Sequence, residues 1–246
     1  GYQNTFKRLH LNIRTAQDEA WLDVLRWKGL GSDIDWKDFQ GMDCCGGLDL
    51  ASKLDLTAFV LVFFKEGKYY VKPHFWIPKD SIRKRKLGRL QDTLMAWGEQ
   101  GHLTITDTDN TTDYPAVIAH IASETSLYNI LDIGFDPWNA QTTATALNVT
   151  HGIEVVEFRQ THANYNEPAK ELEKLLANGC IVHDNNPVLS WCVGNVQVNT
   201  DTSGNIKPIK PEHGAENKVD GVQAMVMALG RALQRMQQET ATLSWI

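Results

Sequence analysis

The segment that most constrains this chain runs from Gly46 to Thr57 and leads into the apolar run Ala58 to Phe64. Asp49 stands in a strand-like stretch behind Gly46 and Gly47. A polar turn follows, and then a second strand without a single charge. A carboxylate in such a place is costly to bury unless it is paired or holds a cation. A metal is therefore the first chemistry to test. The plain alternative is an Asp that starts a turn or accepts hydrogen bonds at a hairpin end.

The strands around this segment predict an antiparallel opening. Met42 to Leu50 reads as the first strand. Thr57 to Lys65 and Lys68 to Ile77 flank Glu66-Gly67, a strong hairpin signal. After that, strands and helices alternate. Helices are predicted over Leu87–Gln100, Asp113–Leu127, Trp138–Asn148, Glu167–Asn178 and Val219–Gln234, with a helical turn at Pro187–Gly194. Strands are predicted over Leu103–Thr106, Ile130–Phe135, Ile153–Phe158 and Ile181–His183, and a second hairpin joins Val196–Asn199 to Asn205–Ile209. This order predicts an α/β fold, a mixed sheet with helices on both faces. With 246 residues, 42% of them hydrophobic, the chain has enough material for one sizeable core. The expected division is an arm or linker over residues 1–40, one domain over 41–236 and a frayed tail over 237–246. A short helix, Ala16 to Leu25, falls within the arm.

Charge and cysteine usage exclude some classes. A net charge of −6 argues against nucleic-acid binding by bulk charge alone. It leaves room for a local basic patch, and Lys79 to Arg89 is the densest one, with Arg83, Lys84, Arg85 and Lys86 at its centre. Its bland reading is a solvated face or a mobile loop. Cys44, Cys45, Cys180 and Cys192 have no zinc spacing and read as small buried residues. The longest apolar run is too short to span a membrane. No signal peptide opens the chain, and a start at Gly1 suggests a processed or excised piece.

Three aspartates stand out by position. Asp49 lies on the first strand, Asp136 ends the strand Ile130–Phe135, and Asp220 starts the last helix. If the two strands are neighbours, both carboxylates reach one rim, and a helix N-terminus arriving there adds a third. Such a group needs cations, and hard oxygen ligands suit Mg²⁺ or Mn²⁺. Two ions ~3.5–4 Å apart clamp the attacking and leaving oxygens of a phosphodiester. Taken singly, Asp136 reads equally well as a cap before Trp138, and Asp220 as an ordinary N-cap residue. Asp132 is the fallback for the second ligand.

Leu48-Asp49-Leu50-Ala51-Ser52 followed by Asp55-Leu56-Thr57-Ala58 resembles the opening of the nuclease domain of phage terminase large subunits of the HK97-like class. Phe6-Lys7-Arg8-Leu9-His10-Leu11-Asn12 is similar to the join between their ATPase and nuclease domains. Gly134-Phe135-Asp136, Asn186 to Trp191 and Lys218 to Val222 fit the rest. The resemblance implies a ribonuclease H-like fold and metal-dependent cutting of concatemeric viral double-stranded DNA during packaging, in the host cytoplasm. It matches Asp49, Asp136 and Asp220 to the metal-binding acids, and Asp55 to an acid that assists the second ion. It implies the small terminase subunit and the portal protein as partners, and a homo-oligomer in the full-length motor. No G-x-x-x-x-G-K-[ST] occurs, so no phosphate-cradling loop of that kind is present. The expectation is the isolated nuclease half. Other readings are a resolvase or transposase core, a non-catalytic DNA-binding assembly module, and an actin-like kinase. The last would need a second, Gly-rich phosphate loop.

Overall fold

Ala58, Val60 and Val62 enter one core and Phe59, Leu61 and Phe63 enter another, all of them buried. A strand buried on both faces requires cover on both, and that requirement orders the layers. The computed structural model describes residues 20–51, 55–84, 88–108, 111–138, 140–211 and 217–243. Its strands are β1 (Asp43–Asp49), β2 (Thr57–Lys65), β3 (Lys68–Pro78), β4 (Thr104–Thr106), β5 (Asn129–Phe135), β6 (Val155–Glu157) and β7 (Ile181–His183). They form one sheet in the order β4-β3-β2-β1-β5-β6, with β7 beside the other end of β3. The pairs β1–β2 and β2–β3 are antiparallel, and β1–β5, β5–β6 and β3–β4 are parallel. This is the ribonuclease H-like mixed sheet that the resemblance implies. Glu66 and Gly67 turn β2 into β3 with φ of 52° and 77°, the positive values that a two-residue hairpin matched to strand twist requires.

The helices are α1 (Val24–Gly29), α2 (Lys79–Lys84), α3 (Arg89–Glu99), α4 (Tyr114–Glu124), α5 (Gln141–His151), α6 (His162–Asn178), α7 (Pro187–Asn195) and α8 (Asp220–Leu243). Val117 and Ile121 of α4 and Ala144 and Leu147 of α5 cover one face of the sheet. On the other face α8 lies directly against the strands, and α6 and α7 close over it, so residues 221–230 are all buried. Gly47 permits this approach. A Cβ there would stand 2.0 Å from the Ala224 carbonyl oxygen and 2.7 Å from the Ala228 nitrogen, so any side chain would lift α8 off β1.

Several boundaries differ from the sequence reading. Helix α8 continues to Leu243, beyond the boundary at 236. Helix α6 begins at His162 because Thr161 caps it, its side chain accepting from the Asn164 N–H at 3.3 Å. Within the arm, residues 1–19 lie outside the described residues, and with them the Phe6 to Asn12 motif. Residues 20–40 pack on the domain. Trp27 is wholly buried and stacks on His183 at 4.0 Å, and its indole N–H donates to Ser190 Oγ at 3.1 Å. The short helix begins at Val24, because Asp23 caps it by accepting from the Arg26 N–H.

Beneath α4, the rings of His74 and His120 stack at 3.7 Å, with Lys72 and Glu124 beside them. Burial, then the neighbouring His120 and Lys72, lowers His74 to about 3. Burial also lowers His120, against the pull of Glu124. Both are neutral in the folded protein at neutral pH. Their contribution to stability is complete above the unfolded value near 6.5 and is lost as pH falls from there toward 3. Denaturant unfolding at pH 5 should therefore show a stability about 1–2 kcal/mol lower than at pH 8 from His74 alone. In His74→Gln that part of the difference should vanish. An unchanged pH difference in the variant would remove the His pair as its source.

Candidate active site

The parallel register sets Leu48 beside Phe135; one residue on, β1 ends at Asp49, and Asp136 follows the last residue of β5. The two acids therefore leave neighbouring strands, ~4.8 Å apart, at the same rim. Alternation sends Cys45, Gly47 and Asp49 to the α8 face of β1, and Asp132, Gly134 and Asp136 to the α8 face of β5. Gly47 touches α8 at Ala224. Two residues along β1 advance roughly 6–7 Å, and one turn back along α8 covers roughly 6 Å. The two steps keep pace, so the N-terminus of α8 brings Asp220 alongside Asp49. Asp55, between β1 and β2 in the chain, completes the group.

The electrostatics follow from this crowding. Burial, then Asp220, Asp136 and Asp55, holds the Asp49 carboxyl well above the usual carboxylate range. Burial and Asp55 raise Asp220 to about 6, against the opposing pull of Lys218. Asp136 Oδ1 accepts the Trp138 N–H at 3.1 Å, so the turn-capping role holds for one of its oxygens. Asp220 is the first residue of α8 rather than its cap, where the helix dipole favours a negative charge. Asp55 forms an ion pair with Lys218, whose side chain is 4% exposed.

Among the described residues, no three His, Cys, Asp or Glu side chains close to a metal-holding geometry. The acids converge on one rim without forming such a group, and Asp55 pairs with Lys218. The donors are all carboxylate oxygens, which fits a hard divalent cation. Cys192, which feels the Asp220 charge, has its thiol pushed up by burial.

Two residues here escaped the sequence reading. Lys218 lies two positions before Asp220, and a cation so close to an acidic centre was the signal. Tyr165 of α6 is fully buried, and its hydroxyl feels both Asp49 and Asp136; no local pattern marks it. Asp132 is not part of the group. It is wholly buried in the middle of β5, held by Arg231 through 2.8 Å bonds to both oxygens and by Arg235 at 2.6 Å.

The basic stretch is partly helix rather than loop. In α2, Ser81 and Ile82 are buried, Lys79 pairs with Asp107 at 2.9 Å, and Arg83 is exposed. Arg85, Lys86 and the Lys84 side chain lie outside the described residues. On the other flank, β8 (Gln197–Thr200) and β9 (Ile206–Ile209) form the expected hairpin. It is pinned to the domain by Lys207 Nζ donating to the Gln160 carbonyl at 3.2 Å and by Gln223 Nε2 donating to the Pro208 carbonyl at 3.0 Å.

Residues 2–236 match the family model described as the terminase large subunit, endonuclease domain. The chain is 32% identical over 249 residues to Protein YmfN of Escherichia coli (strain K12), an alignment covering 96% of this chain and 54% of that protein. It is 30% identical over 239 residues to the terminase large subunit of Enterobacteria phage HK97, covering 94% and 45%. It thus spans about half the length of these curated relatives. Among solved structures, the HK97 bacteriophage large terminase superposes with a TM-score of 0.75 at 30% identity, covering 94% of this chain and 47% of that one. The large terminase nuclease from thermophilic phage G20c superposes with a TM-score of 0.50 at 13% identity, covering 79% and 95%, a likeness of fold alone.

Proposed function

Because the chain belongs to the terminase large subunit endonuclease-domain family, we propose that it is a divalent-metal-dependent endonuclease that cuts concatemeric viral double-stranded DNA during genome packaging. The observation that carries this reading is the convergence of Asp49, Asp136 and Asp220 at one rim of the sheet. Asp49 and Asp136 are fixed by the strand register, and Asp220 by the contact of α8 with Gly47. Two Mg²⁺ or Mn²⁺ ions held by these oxygens would neutralise the scissile phosphate and activate the attacking water. Asp55 would assist the second ion, and Lys218 supplies a buried positive charge at its carboxylate. No protein nucleophile is required, so the reaction forms no covalent enzyme intermediate. By family, the small terminase subunit and the portal protein are the proposed partners, the full-length motor a proposed homo-oligomer, and the host cytoplasm the proposed site of action.

Plasmid incubated with the protein should be nicked and linearised in Mn²⁺ or Mg²⁺ and left intact in EDTA. Equal cutting in EDTA would sink the metal-dependent reading.

The DNA path we propose crosses the acid rim between α2 and the hairpin. Helix α2 leaves β3 at the same rim, two strands from β1 and four residues beyond Phe75, the β3 residue level with Asp49, and thus starts roughly 16 Å from Asp49. With an overall charge of −6, attraction to phosphates must be local, and Arg83, Lys84, Arg85 and Lys86 supply it. Binding should weaken as salt rises, with a slope of about −0.9 per phosphate contact. Replacing these four residues by alanine should flatten that slope. A quadruple variant with the parent's slope would return the stretch to a solvated surface.

A further inference from the structure

Tyr165 presents a polar atom that nothing explains. Its side chain is wholly buried, and its hydroxyl has no hydrogen-bond partner among the described residues. Buried tyrosine hydroxyls ordinarily find a partner, and one left alone in a native core calls for a reason. Packing does not supply it, because a phenylalanine ring would fill the same space.

Position supplies it. Phe158 follows β6, and its N–H donates to the Phe135 carbonyl at 2.7 Å, one residue before Asp136. The Tyr165 ring packs edge-on against Phe158, with centroids 5.4 Å apart and planes at 83°. Tyr165 thus sits beneath the end of β5, on the α8 side of the sheet, toward which Asp49 and Asp136 also point. The two carboxylates are the charges its hydroxyl feels. A phenol donates one hydrogen bond, and an ionised carboxylate is the strongest acceptor within the domain's chemistry.

We propose that Tyr165 is a positioning residue of the acid centre, its hydroxyl donating to the Asp49–Asp136 carboxylate pair when a divalent cation draws that pair together. The proposal rests on the metal-dependent reading above. In this role the phenol fixes which carboxylate oxygens face the cation and which face the protein. Groups that orient metal ligands in this way are commonly worth ten- to a hundredfold in metal affinity. The hydroxyl stands without a partner only until the ligands close on the cation.

The test is Tyr165→Phe, measured twice on the full chain. Calorimetric titration with Mn²⁺ should show affinity at least about tenfold weaker than the parent's, while the EDTA-treated variant melts at or above the parent's temperature. A tyrosine that is merely structural would leave Mn²⁺ affinity unchanged, and that result overturns the inference. A fall in the metal-free melting temperature also overturns it, because the hydroxyl would then already have a partner. Should the parent itself bind no Mn²⁺, while circular dichroism shows it folded, the metal reading fails and takes this inference with it. Asp49→Ala serves as the non-binding reference, so the two failures remain distinct.

Discussion

Alanine at Asp49, Asp136 or Asp220 is expected to reduce DNA cutting by on the order of a thousandfold or more, a barrier increase of about 4 kcal/mol. The fold should persist in all three. For Asp49 and Asp220 the metal-free protein should even be more stable than the parent at neutral pH. Both carboxyls are raised in the folded state, Asp49 by burial and by Asp220, Asp136 and Asp55, and Asp220 to about 6 by burial and Asp55. A raised carboxyl contributes stability that is present in acid and lost as pH rises through the folded-state value. At pH 7 the ionised groups therefore strain the native state, and their removal relieves it. Asp55→Ala should differ. It takes the partner from Lys218, an almost wholly buried ammonium, so the metal-free melting temperature should fall while cutting is reduced less severely. Plasmid cutting and thermal melts in EDTA, run side by side, check this. Asp136→Ala with parental cutting would remove Asp136 from the centre. An Asp49→Ala variant that melts well below the parent would contradict the crowding argument.

The parts of this arrangement legible in the sequence are those governed by local rules. Glu66-Gly67 announced its hairpin because few dipeptides accept two positive φ values. The unbroken run Ala58 to Phe64 announced a strand, and its apolar residues at nearly every position are those of a strand covered on both faces. The glycines before Asp49 were visible, but the role of Gly47 was not, since it depends on a helix that begins more than a hundred residues later. The acids were legible as a set only through strand adjacency, which periodicity cannot establish and the β1–β5 register does. Tyr165 illustrates what stays hidden. It reaches the centre from α6 and carries no local pattern of its own, whereas Lys218 stands two positions before Asp220 and only its pairing with Asp55 was out of sight. Arg83 to Lys86 shows the opposite failure. As a string of charges it reads as a loop, yet the buried Ser81 and Ile82 anchor its first part as helix α2.

Asp132, only the fallback for the second ligand by sequence, has a structural role in the fold, and it yields the largest expected loss of stability. It alternates in phase with Asp136 on the same face of β5, so by pattern it is an equally good ligand. In three dimensions it lies two alternations back from the rim, with no exposure, and binds Arg231 and Arg235 of α8. Arg235 continues to Glu154 at 2.7 Å. Burial alone would raise the Asp132 carboxyl, but the hydrogen bonds from Arg231 and Arg235 overcome it and hold it below its ordinary value. A depressed carboxyl contributes stability that is present above the unfolded value and lost as pH falls through the folded one. Removing one partner of such a buried group strands the others, at a cost of about 3–5 kcal/mol. The lower end applies here, because the Arg235 side chain is 29% exposed and regains some water. Asp132→Ala should therefore lower the melting temperature by roughly 6–12 °C for a chain of this size. Asp132→Asn keeps hydrogen-bond acceptance without the charge and should fall between the two. Below the melting transition, both variants should retain Mn²⁺ binding and most of their cutting, since the clamp grips the middle of α8, roughly three to four turns from Asp220. An Asp132→Ala protein that melts with the parent but neither binds Mn²⁺ nor cuts DNA would make Asp132 a ligand and Asp136 the bystander.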